Sequence, residues 1–310
     1  MTTQTKPGPS AEHPAQLRDI YGRMVSAAGA RGRLLTLDSG TRVHVIDAGD
    51  GPPVVHLHGN NTSALSHLML LEWTPTVRSY LVDRPGMGLS DPVDVQRRTF
   101  RKVAVRFVDD VLNALELESA VLVGASGGGV YATWYALERP RRVRGLVLLG
   151  STPTLPGGRV PPPIRMMATP VLGNVMARVK PGRRMLLRMM ASVGEATTIE
   201  RHPDLLDSLV YGARDSIAVS ANRAELRALI SPFGFRRATR FDAEELGRLS
   251  VPTLMIWGDR DPVVPLAHAR AVAARIPAAR LEVLAAGHVP QLGHPERVGQ
   301  LITAFAHDRT

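Results

Sequence analysis

The chain has 310 residues, 44% hydrophobic and 21% charged, a balance that supports a buried core and excludes a disordered or fibrous chain. It has no cysteine, which removes disulfides, thiolate metal sites and cysteine nucleophiles together. Basic residues outnumber acidic ones, 38 to 28, for a formal charge of +10, which raises the question of nucleic acid or an anionic membrane as a partner.

No run approaches the ~20 apolar residues of a membrane-spanning helix. The opening MTTQTKPGPS lacks the apolar core of a secretory signal, so the expectation is a cytoplasmic protein. After this polar start the spacing predicts an amphipathic helix over 11–28, and tail and helix together occupy 1–31. Short runs rich in β-branched residues then predict strands at 42–46, 53–57, 78–82, 120–123, 143–149, 253–257 and 281–284. Helical spacing lies between several of them, at 99–117, 130–138, 266–275 and 295–306. Strands alternating with helices point to an α/β fold with a mostly parallel sheet covered on both faces.

The alternation breaks over 152–249, which opens with LPGGRVPPP, runs through a Met-rich stretch and shows helical patterns without a strand. This segment is expected to be a helical cap over the strand ends where α/β proteins bind ligands. The core is then expected at 32–151 and 250–310. Met166, Met167, Met176, Met185, Met189 and Met190 are expected to divide between plain packing and a flexible apolar pocket.

The strongest chemical signal is Gly124-Ala125-Ser126-Gly127-Gly128, directly after the strand AVLV and before a helical segment. This is the G-x-S-x-G pattern in the strand-turn-helix context it needs. A serine hydroxyl is a poor nucleophile until a base takes its proton, so a histidine and a carboxylate are expected downstream. Both occur in loops just after strands: Gly258-Asp259-Arg260-Asp261-Pro262, then Gly287-His288-Val289-Pro290. The same glycines read as G-x-x-G-x-G, but no acidic residue follows the next strand to hold a ribose, which disfavours a dinucleotide site.

Upstream, His58-Gly59-Asn60-Asn61 follows one strand and Asp83-Arg84-Pro85-Gly86-Met87-Gly88-Leu89-Ser90 another. With these turns the chain resembles the capped α/β-hydrolases from about residue 32 onward. The resemblance implies Ser126 as nucleophile, His288 as base and Asp261 as the acid that orients it, with Asp259 a competitor. It also implies an oxyanion hole from the backbone amides of Asn60 and Gly127. His58 is expected to support the turn, and His56 to lie in the core.

HGN is similar to the halide-binding turn of haloalkane dehalogenases, but those enzymes use an aspartate where Ser126 stands and usually a tryptophan where Gly127 stands. The HGGG turn of many lipases is absent, and the Asn60 and Asn61 side chains in its place are expected to reach the substrate. Acyl transfer on a small ester-like molecule is therefore the expected activity, with no metal or organic cofactor. A lactonase, a C–C bond hydrolase and a cofactor-free perhydrolase use the same machinery, and a non-catalytic binder would use the fold alone.

The excess charge is local. Eleven basic residues and no acidic one lie between Glu138 and Glu195, so the expectation shifts to a basic cap that steers an anionic or amphipathic substrate or touches an anionic membrane. Nucleic acid is disfavoured, because no aromatic residue lies between Tyr135 and Tyr211 to stack on bases.

Overall fold

The computed structural model describes residues 12–150 and 152–309. The tail over 1–11, including the first residue of the expected N-terminal helix, and Ser151 lie outside the described residues. An eight-stranded sheet forms the centre: β1 (Arg31–Thr36), β2 (Arg42–Ala48), β3 (Pro53–Leu57), β4 (Arg78–Val82), β5 (Ala120–Ala125), β6 (Val143–Leu149), β9 (Thr253–Gly258) and β10 (Ala279–Leu284). β7 (Ile230–Ser231) and β8 (Gly234–Phe235) form a separate two-residue hairpin. The large sheet runs in the order β1-β2-β4-β3-β5-β6-β9-β10. Only the pairings of β2, with β1 and with β4, are antiparallel. This is the α/β-hydrolase arrangement.

Strands buried on both faces explain the continuous apolar runs. Val55 and Leu122 face one layer with Phe107 and Val108 of helix α2 (Phe100–Ala114) and Val130 of α3 (Gly127–Glu138). Their chain neighbours Val54 and Val121 face the other, against buried side chains of the C-terminal helix such as Val298 and Ile302. β1 is a strand that hydrophobic patterning does not reveal, because five of its six residues are exposed. It lies at the sheet edge, where Arg31 and Arg33 discourage pairing with another chain.

α1 (Ala15–Ala27) buries Leu17, Ile20, Tyr21 and Val25 at helical spacing. A 3-10 segment over Ala64–Trp73 has no clear mark in the sequence, since its apolar residues are not confined to one face. Between β6 and β9 the chain builds α4 (Pro162–Met167), α5 (Pro170–Met176), α6 (Arg183–Ala191), α7 (Ala196–Ile199), α8 (Pro203–Gly212), α9 (Ser216–Leu229) and α10 (Ala243–Gly247). The β7–β8 hairpin interrupts this helical insertion and departs from the strand-free expectation; strands of two residues are too short to show alternation. Three helices close the fold: α11 (Leu266–Ala273), α12 (Pro290–Gly293) and α13 (Pro295–His307).

The structure divides the basic stretch in two. Arg139, Arg141, Arg142 and Arg144 sit at the start of β6, the end of the sheet opposite the turn after β5. Arg142 there bonds Asp109 at 2.9 Å and the Leu117 carbonyl at 2.7 Å. The other seven cations, from Arg159 to Arg188, belong to the insertion.

Candidate active site

Ser126 stands between β5 and α3 with φ 47° and ψ −114°, a strained backbone that turns its side chain out of the sheet edge. The flanking glycines permit the turn through close packing. A Cβ at Gly124 would meet Gly129 Cα at 2.6 Å, and one at Gly128 would meet the Leu57 carbonyl oxygen at 2.0 Å. The local pattern of small residues therefore lets α3 start directly against β3 and β5.

The three expected side chains converge. Ser126 Oγ lies 2.9 Å from His288 Nε2, and His288 Nδ1 lies 3.0 Å from Asp261 Oδ2. Asp261 is buried and its other oxygen accepts the Val263 amide at 2.8 Å. Asp259, the competitor, points elsewhere: it accepts the Ala286 amide at 3.1 Å and pairs with Arg260 at 3.5 Å near the surface. With the carboxylate accepting from Nδ1–H, Nε2 is left to accept the serine proton.

Asn60 and Gly127 lie beside this array, with Asn60 N 3.4 Å from where a Gly127 Cβ would be. Gly127 opens α3, so its N–H is one of the orphan donors of a helix start. Among the described residues neither backbone amide donates to a protein acceptor. Both are therefore available to an oxygen held over Ser126.

Asn60 and Asn61 line the cavity over Ser126, and one polar atom of each side chain is held by the insertion. Asn60 Nδ2 donates to Glu225 Oε2 at 2.9 Å, and Asn61 Oδ1 accepts from Asn222 Nδ2 at 2.5 Å. Both partners belong to α9, so the insertion holds the turn. Glu225 is fully buried, where it also takes Arg84 Nη1 at 2.8 Å and the Tyr131 hydroxyl at 2.5 Å. His58 sits beneath as a neutral prop. Its Nδ1–H donates to the Gly59 carbonyl at 2.8 Å and its Nε2 accepts the Arg84 amide at 2.9 Å. Burial, helped by the Arg84 charge, pulls its pKa down to about 3.

A second carboxylate of the insertion, Glu195, grips the histidine loop. It accepts the Val289 amide at 2.9 Å, and the His288 amide donates to the Val193 carbonyl at the same distance. Burial raises the Glu195 pKa above its ordinary value, against the pull of the Val289 hydrogen bond and the His288 charge. Neither Glu195 nor Glu225 stands out in sequence, because a carboxylate on a helical segment reads as a solvated face.

A cavity opens over Ser126 with aliphatic walls. Ile164, Leu226 and Leu229 form part of one side, and Met190, Leu205 and Leu292 part of another. Met189 also lines it, whereas Met166 and Met185 are exposed. Among the described residues, Arg159, itself exposed, is the one lysine or arginine on the wall, and no Asp or Glu lines it. Among the described residues no cluster could hold a metal ion.

The fold and the serine-centred array define a serine hydrolase of the α/β class. The chain belongs to the alpha/beta hydrolase family, whose model matches residues 54–301. It is 31% identical over 277 residues to a 2-hydroxy-6-oxononadienedioate/2-hydroxy-6-oxononatrienedioate hydrolase of Cupriavidus pinatubonensis, covering 86% of this chain and 91% of that one. It is equally 31% identical over 266 residues to a pimeloyl-[acyl-carrier protein] methyl ester esterase of Xanthomonas campestris, covering 85% and 98%. Among solved structures, a Bacillus subtilis carboxylesterase superposes with a TM-score of 0.74 at 23% identity, covering 94% of this chain and 96% of that one. That similarity speaks for the fold.

Proposed function

We propose that the chain is an esterase that hydrolyses carboxylic esters with apolar acyl and alcohol parts. The observation that carries this reading is the aligned Ser126–His288–Asp261 relay, 2.9 and 3.0 Å between its polar atoms, beneath a cavity with aliphatic walls.

Ser126 Oγ attacks the ester carbonyl while His288 Nε2 takes its proton, and Asp261 stabilises the resulting imidazolium. The amides of Asn60 and Gly127 hold the oxyanion, each worth about 3 kcal/mol of barrier by analogy with measured donors. Collapse expels the alcohol, which takes the proton from His288 and leaves an acyl-Ser126. Water then attacks that ester with His288 again as base, releasing the acid and restoring the serine.

Relatives include hydrolases named for dioate substrates, which carry two carboxylates. Such a substrate needs cationic partners, and among the described residues this cavity offers Arg159 alone from its wall, which favours neutral esters. The test is fluorophosphonate labelling and turnover of a series of p-nitrophenyl esters by the wild type and Ser126→Ala. Labelling and turnover confined to the wild type are expected. Equal labelling of both proteins overturns Ser126 as nucleophile, and a labelled wild type that turns over no ester overturns the esterase reading.

A further inference from the structure

Six of the nine large apolar side chains exposed among the described residues fall within twenty residues of the insertion: Met166, Val171, Leu172, Val175, Val179 and Met185. Val171, Leu172, Val175 and Val179 recur at helical spacing along α5 and just beyond it, and Val171 is 78% exposed. A stripe of aliphatic residues in water is unfavourable for a free surface and marks an interaction face.

The chain on both sides of the stripe is cationic. Arg165 precedes it and Arg178, Lys180, Arg184 and Arg188 lie among or after its residues, with no acidic residue between Glu138 and Glu195 in sequence. Among the described residues none of these five pairs with a carboxylate, whereas their neighbour Arg183 pairs with Asp207 at 2.7 Å. Beneath α5, and among the described residues, Arg223 and Arg227 donate only to neutral oxygens, those of Asn174 at 2.7 Å and Pro170 at 3.4 Å. A second copy docked through this face would set two acid-free basic segments against each other. The partner that suits both features is apolar inside and anionic at its surface.

We infer that the outer face of α5 and its flanking cations form a docking surface for an anionic lipid bilayer. The valines and Leu172 enter the boundary between headgroups and acyl chains, and the guanidinium and ammonium groups meet lipid phosphates. Ile164 before α5 and Met189 and Met190 after it wall the cavity over Ser126. The docked face is thus bracketed in the chain by the residues that receive an apolar substrate.

The test measures co-sedimentation of the full chain carrying Ser126→Ala, so that binding is read without turnover and independently of the esterase assignment. Vesicles of phosphatidylcholine are compared with vesicles containing an equal part of phosphatidylglycerol. Binding to the anionic vesicles, roughly tenfold weaker to the neutral ones, is expected. Adding Val171→Ser, Val175→Ser and Val179→Ser is expected to weaken binding by roughly tenfold, as is Arg178→Gln with Lys180→Gln and Arg184→Gln. With Ser126 intact, both sets are expected to keep the wild-type circular dichroism and wild-type rate on a water-soluble ester. Failure of the parent protein to bind the anionic vesicles overturns the inference. So does undiminished binding by the serine variant, which is the behaviour of a surface that reads charge alone, as for an acidic protein.

Discussion

The Asn60 carboxamide donates to Glu225 at 2.9 Å across the boundary between the sheet and the insertion. The same carboxylate holds Arg84 at 2.8 Å in full burial. One helix of the insertion therefore holds the turn whose Asn60 nitrogen lies beside Gly127. Glu225→Ala strands the Arg84 charge and is expected to cost about 3–5 kcal/mol of stability in denaturant unfolding. Glu225→Gln keeps the volume but weakens the grip on Asn60, so kcat is expected to fall about tenfold, ~1.4 kcal/mol of barrier, with KM little changed. Wild-type kcat in Glu225→Gln would sever the link between this carboxylate and the oxyanion turn.

Two carboxylates two residues apart have opposite expected weights. Asp261 faces His288 at 3.0 Å from within the protein, while Asp259 pairs with Arg260 near the surface. Asp261→Asn is expected to lower kcat by roughly 10³–10⁴, by analogy with measured triads, because the amide cannot hold the imidazole in the useful tautomer. Asp259→Asn is expected to stay close to wild type in kcat. Ester hydrolysis by the two variants checks this directly, and the reverse ranking would move the acid's role to Asp259.

The parts of the site read most directly from sequence are those carried by a strand end. Ser126, His288 and the Asp259–Asp261 pair each follow a run of apolar residues by a few positions, which puts them at strand ends, and the resemblance to α/β-hydrolases is what singles out Asp261. Glu225 and Glu195 have no such marker: each becomes informative only when the insertion folds back onto the core. β1 escaped for the opposite reason, since an exposed edge strand carries no apolar alternation. Charge misled in one respect. Contiguity in sequence joined Arg139–Arg144 to the insertion, whereas the two groups lie at opposite ends of β6.

Two adjacent glycines distinguish a catalytic fault from a folding fault. A Cβ at Gly127 would sit 1.9 Å from Asn60 Oδ1, whose carboxamide is tethered to Glu225. Gly127→Ala is therefore expected to fold, displace Asn60 and lose roughly 10²-fold in kcat through the oxyanion donors. A Cβ at Gly128 would instead meet the Leu57 backbone carbonyl at 2.0 Å, and the strand cannot yield. Gly128→Ala is expected to accumulate poorly or unfold at markedly lower temperature. Thermal melting beside kinetics separates the two, and a normal melt for Gly128→Ala would count against the close packing of α3 on β3.

Asp83 is expected to contribute to the loss of stability in acid. It is buried, and it accepts Tyr21 Oη at 2.8 Å, the Ala64 amide at 2.7 Å, His44 Nδ1 at 2.9 Å and the Leu89 amide at 3.2 Å. Burial alone would raise its pKa, but the hydrogen bond and charge of His44, with the Ala64 amide, pull it below the ordinary carboxylate value. A depressed pKa in the folded state means the stabilisation is complete above the unfolded value, about 3.9, and is lost as pH falls through the folded one. Asp83→Asn turns an amide N–H₂ toward groups that are themselves donors, so a loss of about 2–3 kcal/mol at neutral pH is expected. The variant is also expected to lose less further stability than the wild type between neutral pH and pH of about 3. Urea unfolding at both pH values measures the two effects, and parallel losses in the two proteins would remove Asp83 as the titrating group.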